Sequence, residues 1–146
     1  MNTHPQAHAM ALFKALSIIL ALAAAPWAAA HDATGEEKVT PLQMQKLPDV
    51  PGKQVAMAVV SYAPGQASEP HFHSGSVFAC VLEGEVVSQL EGQPPVTYKA
   101  GQSWYEPPRA PHLVSRNASR TRPAKLLAWL LMDEGGQIKQ PLPAKP

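Results

Sequence analysis

From Val55 onward the chain breaks into short apolar runs separated by polar clusters rich in Gly and Pro: Val55 to Tyr62, Val77 to Leu82, Glu85 to Leu90, Val96 to Lys99, Ser103 to Glu106, His112 to Ser115 and Lys125 to Met132. Runs of this length and spacing predict the strands of an all-β sandwich or barrel. Pro64-Gly65, Glu83-Gly84, Glu91-Gly92-Gln93-Pro94, Ala100-Gly101 and Pro107-Pro108 fall between the runs, where Gly supplies positive φ and Pro presets a bend. Ala124 to Met132 is rich in helix-forming Leu and Ala, yet it is apolar all round. A helix there would have no polar face to give to solvent, so a buried strand is expected. Residues 31–50, with Pro41 and Pro48, follow neither period and read as an N-terminal arm or an edge. Residues 137–146, with three prolines, read as an irregular tail, which leaves 51–136 for the barrel.

A different pattern occupies the start. Lys14 precedes a 16-residue run, Ala15 to Ala30, of mostly Ala, Leu and Ile interrupted by Pro26, and Ala28-Ala29-Ala30 supplies the small residues a signal peptidase requires. A spanning helix needs about 20 apolar residues, so residues 1–30 are expected to be a cleaved secretory signal. The mature chain then carries no membrane span, and a periplasmic or secreted location follows. It has 116 residues, enough for one domain, with 11 basic and 11 acidic side chains. A balanced surface gives no reason to expect nucleic acid as a partner, since phosphate binding needs basic groups to displace counterions. Arg116, Arg120, Arg122 and Lys125 read as a solvated loop cluster. Cys80 is the only cysteine, so no internal disulfide is possible.

Four histidines survive the expected cleavage, and His71, His73 and His112 lie at predicted strand edges. Residues two apart on a strand share a face, so His71 and His73 could bind one ion, and a closed barrel could bring His112 across to complete a facial set. The plainer reading makes the pair polar residues at a wet strand end and His112 a turn residue.

The framework around these residues favours the site. Gly65 is followed by five residues and His71-Phe72-His73, and Gly84 lies further on; Gly101 is followed by five residues, Pro107, four more and His112. This resembles the two motifs of the cupin superfamily, over Gly65 to Asn117, and implies a single small cupin-type barrel of the double-stranded β-helix kind. Val77 stands where the family usually places a metal-binding Glu, Arg109 replaces the second motif's Gly, and Asn117 comes one residue late. The resemblance carries the ligand role to His71, His73 and His112, and it implies a homodimer, with residues 31–50 as an arm that could be exchanged.

Three neutral imidazoles leave a divalent ion's charge uncompensated and its remaining positions open to water, dioxygen or a chelating substrate. Cupins with three histidines include dioxygenases, so Fe(II) is the expected cofactor, with Zn, Mn, Cu and Ni as alternatives. A metal-dependent, dioxygenase-like enzyme acting on a small anionic or chelating molecule is one reading; a non-catalytic carrier or sensor of a metal or small ligand is the other. Glu106, at the end of the strand leading to His112, and Glu69 are candidates for a missing carboxylate. Arg109 is a candidate to grip a substrate carboxylate. Tyr62, Phe72, Trp104, Tyr105 and Trp129 could wall a pocket, with Trp104 and Tyr105 sent to opposite faces by strand alternation. Cys80 reads as a small core residue facing away from the histidines. His31, at the expected mature N-terminus, is a minor copper-chelating candidate, and Asn117-Ala118-Ser119 matches a glycosylation sequon.

Overall fold

The computed structural model of the chain describes Met1 and residues 37–143. The expected signal segment and His31 lie outside the described residues. Every described element is a strand: β1 (Lys38–Lys46), β2 (Lys53–Tyr62), β3 (Ala67–Ser68), β4 (His71–Phe72), β5 (Ser76–Glu83), β6 (Glu85–Leu90), β7 (Val96–Lys99), β8 (Ser103–Glu106), β9 (His112–Asn117), β10 (Ala124–Asp133) and β11 (Gln140–Pro141). They form two antiparallel sheets, one in the order β1-β2-β10-β5-β8 and the other β11-β4-β9-β6-β7, with β3 added beside β9. Among the described residues no helix is long and apolar enough to cross a membrane.

Strand alternation builds the core. Val77, Ala79 and Val81 of β5 point inward and are at most 2% exposed, while Phe78 and Leu82 face out at about half exposure. The apolar run at the chain's end is β10, the middle strand of its sheet, paired with β2 on one side and β5 on the other. Its alternate residues Leu126, Leu130 and Met132 are buried against Tyr62, Val81, Ala56 and Val77. A fully buried Val or Leu contributes roughly 1.5–3 kcal/mol, so this core stands in for the disulfide that Cys80 cannot form. Cys80 faces away from the histidines as its parity requires, but it is partly exposed on the outer sheet face beside Phe78 and Trp129 rather than in the core.

Three backbone features hold the ends of the strands. At Gly84 the chain passes from one sheet to the other with φ +73°, and a Cβ there would stand 2.6 Å from the Pro123 carbonyl oxygen. Arg109, where the motif has Gly, takes φ +62°. A left-handed L-residue costs about 1–2 kcal/mol, which explains why glycine suits this turn. Asn117 is 1% exposed and clasps two loops: its Nδ2 donates to the carbonyls of Ala63 at 3.1 Å and Arg122 at 2.7 Å, and its Oδ1 accepts from Ser119 N–H at 2.8 Å. In the folded chain the sequon asparagine is therefore a buried structural residue.

Of the two readings of this stretch, arm or edge, residues 38–46 take the edge: they form β1, an edge strand on β2. All nine of its residues are exposed, so no buried face imposes alternation, and Pro41 is tolerated because an edge strand leaves one side of its backbone unpaired. The tail is likewise not wholly irregular, since β11 pairs with β4 and places His71 opposite Pro141.

Candidate metal centre

β4 and β9 are paired through His71 and His112, and residues facing each other across a ladder project to the same side. His73 follows two residues after His71. The three rings converge, with centroids 4.8 Å apart for His71 and His73 and 5.1 Å for His71 and His112. One nitrogen from each ring lies within 4.8 Å of the others, so the three histidines could hold a metal ion.

Their other nitrogens are tied off. His71 Nδ1–H donates to the Glu69 carbonyl at 2.6 Å and His73 Nδ1–H to the Ile138 carbonyl at 2.5 Å, while His112 Nε2 bonds Ser88 Oγ at 2.9 Å. These bonds turn His71 Nε2 and His73 Nε2 toward each other, 3.2 Å apart, as acceptors facing the same point. Outer partners of this kind fix ring orientation and tautomer in metal sites. Burial pushes the His71 imidazole down to about 4. Burial also lowers His73, opposed in part by the nearby Glu106 carboxylate. Both rings are thus neutral near neutral pH, the form that binds metal.

A carboxylate joins them. Glu106, 3% exposed, places Oε2 3.2 Å from His112 Nδ1 and 3.6 Å from His73 Nε2. Its Oε1 accepts from the Trp104 indole N–H at 2.8 Å. Burial alone would raise its carboxyl, but the His112 ring, His73 and the Trp104 N–H together hold it below the ordinary value. The approach to His112 is a charge contact, and among the described residues Glu106 Oε2 and His112 Nδ1 are buried without a hydrogen-bond partner. An orphaned carboxylate oxygen and an orphaned imidazole nitrogen facing each other are donors suited to a shared cation. The residues present therefore fit a divalent metal.

Glu106 reaches this position because it is the ladder partner of Val77. The carboxylate that Val77 does not supply on β5 arrives from the adjacent residue across the sheet, on β8. Trp104 shares the strand face of Glu106 and stacks on Tyr98 with centroids 4.6 Å apart, whereas Tyr105 faces outward.

The donor groups line a cavity of about 90 Å³ whose walls also include Tyr62, Val77, Trp104 and Leu130. Other candidates fall outside it. The Glu69 side chain is exposed and contributes only its carbonyl, because Pro70 ends the local strand alternation. Arg109 does not line the cavity; its left-handed backbone turns the exposed guanidinium over the Phe72 ring, 5.7 Å from the centroid, away from the histidines. Trp129 packs on Phe78 outside the barrel. Ser88 and the Ile138 carbonyl belong to the site and went unforeseen: Ser88 carries no motif, and a backbone oxygen in a proline-rich tail has no residue-type signature.

The Cupin domain family model matches residues 58–130, half of the chain. The chain belongs to the cupin family. Comparison with curated proteins finds no match. Among solved structures this cupin is similar to the DMSP lyase DddQ from Ruegeria pomeroyi, at 24% identity and TM-score 0.55 over 68% of the chain; it spans only 49% of that protein. It is also similar to TT1209 from Thermus thermophilus, at 29% identity and TM-score 0.53, covering 67% of this chain and 84% of that one. A cupin-like protein from Thermotoga maritima matches at 22% identity and TM-score 0.55, covering 73% and 75%. These likenesses establish the cupin double-stranded β-helix as the fold.

Proposed function

We propose that this cupin is a mononuclear metal-dependent enzyme, dioxygenase-like and using Fe(II), acting on a small anionic or chelating molecule bound in the barrel. The observation that carries the reading is the convergence of His71, His73, His112 and Glu106, with their outer atoms hydrogen-bonded and Glu106 Oε2 and His112 Nδ1 left buried and unpartnered. A divalent ion bound there supplies Lewis-acid or redox chemistry at positions the four side chains leave free. The chain's own contribution is to hold the His71 and His73 imidazoles neutral, to keep Glu106 ionised through the neighbouring rings and Trp104, and to surround the donors with largely apolar walls. With one carboxylate among the ligands, a divalent ion retains one unit of positive charge, which favours a monoanionic ligand.

Elemental analysis of untagged protein tests the centre: one transition metal per chain is expected in the wild type, and loss of it in His112→Ala. Protein that neither retains nor takes up a metal overturns the reading. Oxygen consumption by the Fe(II) form with a panel of small thiols, diketones and phenols tests the reaction, and ligand binding without turnover reduces the protein to a binding module.

The chain is further proposed to be exported to the periplasm or beyond, with removal of residues 1–30, on the strength of Lys14, the apolar run and Ala28-Ala29-Ala30. N-terminal sequencing of the processed protein should begin at His31. A homodimer is proposed on the half-exposed Phe78 and Tyr105 of the outer sheet face, and sedimentation of the processed protein measures it.

A further inference from the structure

The cavity holds a second set of polar groups outside the metal centre. Glu37, immediately before β1, has a side chain only 4% exposed, and its Oε1 accepts from Lys139 Nζ at 2.7 Å. Its other oxygen, Oε2, is buried and has no hydrogen-bond partner among the described residues. Glu37 and Lys139 line the cavity together with the three histidines and Glu106. Tyr62 lines the same cavity, its phenol bonding Ser68 Oγ at 2.7 Å and Ser115 Oγ at 2.8 Å. Burial raises the Glu37 carboxyl, yet the hydrogen bond and charge of the Lys139 ammonium bring it below its ordinary value, so Glu37 is ionised.

An ionised carboxylate oxygen in an apolar-walled cavity needs a donor. Among the described residues none donates to Oε2, and Glu37 lines the same cavity as the metal centre. The charge of Glu37 is already matched by Lys139, so the missing donor should be neutral: an ammonium would set a second cation beside Lys139, and an alkyl end would leave Oε2 unsatisfied.

We propose that Glu37 is the second pole of the ligand site, selecting a small monoanion whose acidic end meets the His71, His73, His112 and Glu106 centre and whose remote hydroxyl donates to Glu37 Oε2. The ligand class is a short carboxylate bearing a terminal hydroxyl. This rests on the metal reading of the centre, so the test reads the two poles separately.

The full chain, loaded with Co(II), is titrated with terminal hydroxyalkanoates of three to five carbons, with alkanoates carrying methyl in place of the hydroxyl, and with the matching terminal amino acids. Visible absorption of Co(II) reports the acidic end at the metal, and calorimetry reports affinity. At the best-fitting length the hydroxy acid should bind about tenfold or more tightly than either analogue, because a site built around a hydrogen bond rejects a ligand that lacks it. The double variant Glu37→Met with Lys139→Met removes both charges together and should reverse the preference toward methyl. Glu37→Gln, which keeps the shape of the side chain if the double variant does not fold, should shrink the preference for hydroxyl over methyl. Hydroxy acid and alkanoate binding within about twofold in the wild type, both with a Co(II) spectral change, overturns the second pole while leaving the centre standing. A Co(II) spectrum that no acid alters, or failure to take up Co(II), overturns both.

Discussion

Replacing Trp104 with Phe isolates the part that Glu106 plays. The change keeps a ring for Tyr98 to stack on and deletes one donor, the indole N–H that meets Glu106 Oε1 at 2.8 Å. Glu106 is 3% exposed, so water does not readily take the donor's place. A hydrogen bond to a charged group contributes about 1.5–3 kcal/mol, and in the metal-free protein its loss lets the Glu106 carboxyl rise toward its ordinary value. In the metal-bound protein the carboxylate is no longer oriented, and loss of such an outer partner lowers metal affinity about 10–100-fold, or about 1.4–2.7 kcal/mol. The assay is competition for Zn(II) or Co(II) against a chromophoric chelator near neutral pH, well below the melting temperature, so that the void left by the smaller ring affects stability without entering the affinity. In a Glu106→Gln background the same Trp104→Phe change should add almost nothing, since the two act as one unit. An affinity within about twofold of wild type would refute Glu106 as a metal-bearing group.

Asn117→Ala removes the amide that serves Ala63, Ser119 and Arg122 and leaves buried backbone groups unpaired; chemical denaturation should show a loss of about 3 kcal/mol. Tyr62, raised to about 12 by burial, keeps its proton in the folded chain while the unfolded chain releases it near pH 10. Its contribution is therefore complete below pH 10 and falls away as pH climbs toward 12, by about 2–3 kcal/mol in all. The slope of urea-derived stability against pH in that window should be shallower in Tyr62→Phe. Arg109→Gly relieves a left-handed residue and loses a contact with Phe72, so stability should change by no more than about 1 kcal/mol; ligand affinity should not change, and a weakened affinity would return Arg109 to the site.

Strands were legible wherever one face is buried. β2, β5, β6 and β10 carry residues that alternate or run apolar because the core selects them, and the Gly and Pro positions between runs mark the turns. β1 left no such trace because both its faces are exposed. β3, β4 and β11 are two residues each, too short for any period, and they exist because neighbouring strands offer backbone partners. Those short strands matter most for the site, since β4 carries His71 and the segment before β11 provides the Ile138 carbonyl to His73.

The histidines could be found from the chain because their spacing is a property of the chain: two positions apart on one strand, and a third behind a Gly and a Pro. The carboxylate could not be placed in that way. A motif records positions along the sequence, whereas a metal samples positions across a sheet, and Val77 and Glu106 occupy one location in the barrel despite lying 29 residues apart, with paired Cα atoms. Side chains paired across an antiparallel ladder leave the sheet on the same side, so a carboxylate lost from β5 and one gained on β8 can serve the same point. An apolar residue at the motif's Glu position therefore does not by itself mean an incomplete centre. The question to ask of such a chain is which residue the ladder sets beside it, and here Trp104, two residues before Glu106 on the same strand face, already marks that carboxylate as held for a purpose.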